Sequence, residues 1–156
     1  MITVTGGSKK QREYANGIAA FCLEKLMPRM YDLNITIKLK RFGKDSSYGY
    51  CMPTDDYEKY DRPRSFELEI NTSARLRRLL ETIAHEMVHV KQFARGELYQ
   101  GIRVNKHRWQ GKWLEDSIDY WDLPWEIEAH GREVGLFVRW AEEAGLAHKS
   151  WTQDSY

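Results

Sequence analysis

Apolar residues recur three and four positions apart through Leu76, Leu79, Leu80, Ile83, Met87, Val90 and Ala94, with no Gly or Pro between them. This spacing predicts one helix over residues 73–94. Asn71, Thr72 and Ser73 offer N-cap side chains, and Gly96 follows the last periodic residue as a stop. A second helix is predicted over residues 9–27, opened by Ser8 and closed by Pro28, with Ile18, Ala19, Phe21, Cys22, Leu23, Leu26 and Met27 as its apolar positions. The period changes to two at Leu33, Ile35, Ile37 and Leu39, and again at Phe66, Leu68 and Ile70, as in half-buried strands over 33–40 and 65–71. Residues 46–52 are a third, shorter strand candidate, followed by a polar, tyrosine-bearing loop from Pro53 to Pro63. A last helix is expected from about Leu123 to Ala144, capped by Asp122 with Pro124 in its first turn, and then a loosely held tail.

From Arg95 to Trp121 the periodicity lapses. Loops of this length are functional, disordered or conceal short elements, and Tyr99, Trp109, Trp113, Tyr120 and Trp121 argue against disorder. Gln110-Gly111-Lys112 between two tryptophans suits a small hairpin. The aromatic residues either cover the core or line a peptide cleft. The order of elements implies an α+β fold, a short antiparallel or mixed sheet packed on the 73–94 helix and the C-terminal helix. Length implies one domain over 1–156, with its core at about 9–144.

Composition narrows the partners. With 24 basic and 23 acidic residues the net charge is +1, which supplies no general attraction to nucleic acid or anionic membrane. The run Arg62, Arg64, Arg75, Arg77 and Arg78 reads as a solvated face. Cys22 and Cys51 are too few for a disulfide framework and are expected reduced and buried. Met1–Thr5 lacks the basic and apolar regions of a signal peptide, and no stretch reaches the roughly 20 apolar residues of a membrane span, so a cytoplasmic protein is expected.

The chemistry concentrates in His85-Glu86-Met87-Val88-His89. On a helix, residues four apart stand one turn above each other, about 5–6 Å between Cβ atoms, so both imidazoles can grip one metal ion. At about 100° per residue His85 lies roughly 200° round from Ile83, directing the histidines away from the apolar stripe towards another part of the chain. Glu86 is placed to take a proton from a water that the metal acidifies. A catalytic zinc commonly has three protein ligands. Glu126, in the first turn of the last helix, is preferred as the third because a helix holds a carboxylate more rigidly than a loop holds a side chain. His107, in the aperiodic segment, is the second candidate, and Glu128 the third if the helix is phased otherwise. His130 lies one turn beyond Glu126, on a face shared with Glu133, where it could orient a ligand or donate to an oxyanion.

His85-Glu86-x-x-His89 followed by Glu126-x-x-Ala129 resembles the gluzincin metallopeptidases. The ordering of elements over roughly residues 35–144 is similar to small single-domain zincins, including minigluzincins and SprT-like proteins. The stretch Trp125-Glu126-Ile127-Glu128-Ala129 is also similar to phage-encoded proteins. His130 stands where the glutamate motif often has Asp or Asn. The resemblance implies one Zn²⁺ on His85, His89 and Glu126, and hydrolysis of a peptide or protein substrate with Glu86 as general base. It also implies oxyanion stabilisation by His130, Tyr120 or Tyr99, and an edge strand, 46–52 or 65–71, that pairs with extended substrate. A SprT-like, DNA-associated protease would instead use His107 as third ligand, although the near-neutral charge argues against nucleic acid. A zinc-binding module without catalysis has no use for Glu86 beside an open coordination position.

Overall fold

Ser8 opens the first helix through a reciprocal cap, its Oγ accepting from Gln11 N at 3.1 Å while Gln11 Oε1 accepts from Ser8 N at 2.8 Å. This helix, α1 (Lys9–Leu26), buries Ala15, Ile18, Ala19, Phe21, Cys22 and Leu26. The computed structural model describes residues 1–43, 46–55, 61–101 and 106–153. Parts of three expected segments therefore lie outside the described residues: 56–60 of the polar loop, 102–105 of the aperiodic segment and 154–156 of the tail.

Before α1 runs a strand that the apolar pattern did not reveal, β1 (Ile2–Gly6), which pairs in parallel with β2 (Asn34–Lys40) at Ile2↔Ile35 and Val4↔Ile37. Two half-buried apolar residues are too short a signal by themselves; the strand is made by its partner. Strand β4 (Ser65–Asn71) pairs in parallel with β2, and β3 (Gly49–Pro53) pairs antiparallel with β4. The sheet is thus mixed, in the order β1-β2-β4-β3, with Ile35, Ile37, Leu39, Phe66, Leu68 and Ile70 buried.

Helix α2 (Leu76–Ala94) packs on the sheet, on α1 and on the last helix, α3 (Pro124–Glu143), and is buried continuously from Leu79 to Ala94. It begins later than expected. Arg75 is the N-cap and, having no acceptor, contributes no side-chain bond, while Asn71 Oδ1 accepts from Phe42 N at 3.2 Å and Ser73 N at 2.9 Å. Gly96 ends it as anticipated, at φ +73°, with Glu97 N donating to Gln92 O at 2.8 Å.

The aperiodic segment contains a small antiparallel sheet of β5 (Leu98–Gln100), β6 (His107–Trp109) and β7 (Lys112–Leu114). The hairpin turns at Gln110 (φ 48°) and Gly111 (φ 84°), the paired positive φ of a type I′ turn. Asp122 does not cap α3. It belongs to a 3₁₀ turn, Tyr120–Asp122, capped by Asp119, and Leu123 is the α3 N-cap with Pro124 in the first turn.

The tail after Gly145 is also not loose where it is described. Trp151 stacks on Tyr14 with centroids 5.3 Å apart and meets Phe137 at 6.3 Å, Thr152 is buried, and Arg77 Nη1 donates to Thr152 O at 2.8 Å. Nor are all the clustered arginines a solvated face: Arg77 also covers the Phe137 ring, and Arg78 lies over Tyr48. Both cysteines are free, Cys22 buried and Cys51 half-buried. No helix among the described residues is long and apolar enough to cross a membrane.

Candidate metal centre

His85, Glu86 and His89 are all buried in the middle of α2, which explains how two histidines can face away from one apolar stripe and still avoid solvent. The face they occupy is covered by α3. Glu126, in the first turn of α3, places Oε2 3.1 Å from His85 Nε2 and Oε1 3.0 Å from His89 Nε2. One ligand atom from each of the three residues lies within 4.8 Å of the others.

The opposite ring nitrogens are equally well held. His85 Nδ1 is 2.9 Å from Glu133 Oε2. His89 Nδ1 is 2.8 Å from Gln92 Oε1, whose amide nitrogen donates to Trp125 O at 3.0 Å and to Glu128 Oε1 at 2.8 Å. Those two acceptors fix the amide with its oxygen towards His89, so His89 Nδ1 carries a proton and Nε2 is the nitrogen that faces Glu126. This is the pattern of metal-ligating histidines, in which the outer nitrogen donates to a carboxylate or carbonyl and the inner one ligates.

Two imidazole nitrogens and a carboxylate form a donor set that could hold a metal ion, and it is of the kind zinc takes. A second group, His85, His130 and Glu133, is also close enough to hold an ion. It shares His85 with the first group and lies on the other side of that ring, where Nδ1 is 2.9 Å from Glu133 Oε2.

Charge follows this arrangement. Burial opposes protonation of His85, but hydrogen bonds to Glu126 and Glu133 outweigh it and hold the imidazole up to about 9. His89 is raised too, burial being outweighed by Glu126 and the charge of Glu86. Burial also opposes ionisation of Glu126, yet His85 and His89 pull it well below the usual carboxylate range. Glu86 behaves differently. Burial raises its pKa, with the two histidines only partly offsetting this, so it is a stronger base than an ordinary glutamate.

The hydroxyl of Tyr120 donates to Glu126 Oε2 at 2.8 Å and lies 3.0 Å from His130 Nε2. His130 also lines the cavity, its ring 4.5 Å from that of His85, its Nε2 3.9 Å from Glu126 Oε2 and its Nδ1 3.4 Å from Glu133. Tyr99 does not line the cavity over the cluster, and packs instead with Trp113. His107 lines that cavity but stacks on Trp125, centroids 4.9 Å apart, and belongs to neither group of potential ligands among the described residues. Glu128 is turned away to Lys91, Gln92 and Arg132.

Two members of this network have roles that the sequence pattern does not signal. Gln92 is one helical turn beyond His89, and that i,i+3 spacing was its only local signal. Glu133 was placed on the correct face but without a role. Comparison of the chain with protein-family models, with curated proteins and with solved structures finds no match.

Proposed function

We propose that the chain is a zinc-dependent metallopeptidase with a small zincin-like fold, of gluzincin type, in which His85, His89 and Glu126 hold the ion and Glu86 is the general base. The observation that carries this reading is the convergence of two Nε2 atoms on one carboxylate, each imidazole being held from behind by Gln92 or Glu133. When bound, a zinc ion supplies Lewis acidity towards a carbonyl and lowers the pKa of water. Glu86 takes the proton of the attacking water and returns it to the leaving amine. Tyr120 donates to the developing oxyanion, and His130 positions the phenol.

The edge strand available for extended substrate is β3, because β4 is paired on both sides. Near-neutral charge and the packing of His107 on Trp125 favour a peptide substrate and a glutamate ligand over a DNA-associated protease using His107.

Elemental analysis of the purified chain tests the ligand set. One zinc in wild type, lost in Glu126→Ala and kept in His107→Ala, is the expected result. Loss in His107→Ala with retention in Glu126→Ala would move the reading to the SprT-like group. No zinc after reloading would overturn the metal centre altogether.

A further inference from the structure

The cavity over the cluster, about 430 Å³, has two unlike ends. It follows one face of α2, past Arg78, Thr82, His85, His89 and Phe93. At about 1.5 Å rise per residue, Phe93 stands one turn beyond His89, and Arg78 about two turns before His85. The Phe93 end is closed by Leu98 of β5, His107 of β6 and Trp125 of α3. Phe93, Leu98 and Trp125 are at most 7% exposed, and the His107 ring lies on Trp125 at an interplanar angle of 27°. The other end is polar, with Arg78, Thr82 and Tyr48.

The edge strand sets the direction in which a peptide would lie. A Cβ added to Gly49 would stand 3.0 Å from Thr82 Cγ2. Arg78 lies 4.6 Å over the Tyr48 ring at the start of the strand, and Pro53 at its end pairs with Phe66, whose ring is 6.4 Å from that of Phe93, so β3 runs alongside α2 in the same sense as the helix. Antiparallel pairing is the commoner and slightly more stable mode. A peptide added to β3 in that mode runs the opposite way, with its N-terminal part at the Phe93 end.

We propose that Phe93, Leu98, His107 and Trp125 form a pocket for a large apolar side chain on the N-terminal side of the scissile bond. The substrate class is then peptides with an aromatic or long aliphatic residue at that position. This inference rests on the metallopeptidase reading. A charged side chain would be desolvated there without a partner, whereas an apolar one is matched to the lining. The small sheet inserted between α2 and α3 thereby acquires a purpose, since it supplies two walls of the pocket.

The test uses the zinc-loaded chain and three metal-anchored probes: N-acetylglycine hydroxamate, N-acetylphenylalanine hydroxamate and benzylmalonyl hydroxamate, the last placing its ring on the C-terminal side. Binding is read by calorimetry. The phenylalanine probe is expected to bind about tenfold more tightly than the glycine probe, the scale of burying an aromatic ring. Leu98→Phe, which fills the pocket, should abolish that gain, and His107→Ala should reduce it; zinc content and Tm report whether each variant is intact. Equal zinc-dependent binding of the glycine and phenylalanine probes, or a gain confined to benzylmalonyl hydroxamate, overturns the pocket and leaves the metal centre standing. If neither variant folds, the wild-type comparison still decides. Absence of zinc-dependent binding by all three probes overturns the metallopeptidase reading and the pocket with it.

Discussion

The side-chain oxygen of Gln92 lies 2.8 Å from Nδ1 of His89, one turn back on the same helix. Because Trp125 O and Glu128 take both amide hydrogens of Gln92, this contact selects the tautomer of His89. Gln92→Ala would leave Nδ1–H without its acceptor and free the imidazole to rotate. Zinc affinity should fall about 10–100-fold, as is usual on losing such a partner. Glu133→Gln should act similarly on His85. Competition with a chromogenic chelator measures both, and wild-type affinity in either variant would show that its contact does not orient the ligand.

Glu86→Gln keeps the shape of the side chain and removes the base. Zinc content should be unchanged, while peptide hydrolysis should fall by about 10²–10⁴-fold or more. A zinc-loaded Glu86→Gln protein with wild-type turnover would refute the assignment of the base.

The pH dependence of the metal-free and metal-loaded chains should run in opposite directions. His85 is raised from 6.5 to about 9 in the metal-free fold, burial being outweighed by Glu126 and Glu133. A raised imidazole contributes stability that is fully present below the unfolded value and is lost as pH rises through the folded one. Zinc requires Nε2 without a proton, so its binding strengthens over the same window. The gain in Tm on adding zinc should therefore grow as pH rises from 6.5 to about 9. Calorimetry in buffers of different ionisation enthalpy should detect protons released on uptake; zinc binding that released none would contradict the protonated state.

Tyr120→Phe removes a hydroxyl that bonds Glu126 at 2.8 Å. If this phenol stabilises the oxyanion, kcat should drop by about 10²-fold or more with little change in KM. His130→Ala should cost less, since the Tyr120 hydroxyl bonds Glu126 at 2.8 Å whereas His130 Nε2 is 3.9 Å from it. Steady-state kinetics on one peptide distinguishes the two, and a larger loss in His130→Ala would reverse their roles.

Trp151→Ala tests the packing of the C-terminal 3₁₀ turn. Loss of its contacts with Tyr14 and Phe137 should destabilise the chain by about 1–3 kcal/mol. Urea unfolding measures this, and zinc content should not change, because Trp151 is absent from the cavity lining. An unchanged unfolding midpoint would mean that the turn adds nothing to the core.

The sequence by itself determined what depends on near neighbours. The apolar period placed α1, α2 and α3 within a few residues, the alternation placed β2 and β4, and His85, Glu86 and His89 were legible because one turn of helix sets their spacing. Gln110-Gly111 announced its hairpin through the backbone it needs. What the sequence left open was settled by contacts between distant segments. Strand β1 exists through its pairing with β2, and the tail is ordered by Tyr14 and Phe137. Glu126 meets the histidines, while His107 meets Trp125, because α3 packs across α2 and the inserted sheet docks beside it. Periodicity reports which face of an element is apolar, whereas the identity of the opposing element is fixed only when the buried faces are packed together. That packing decided which acid joined the cluster, how each imidazole was held and where the cavity became aromatic.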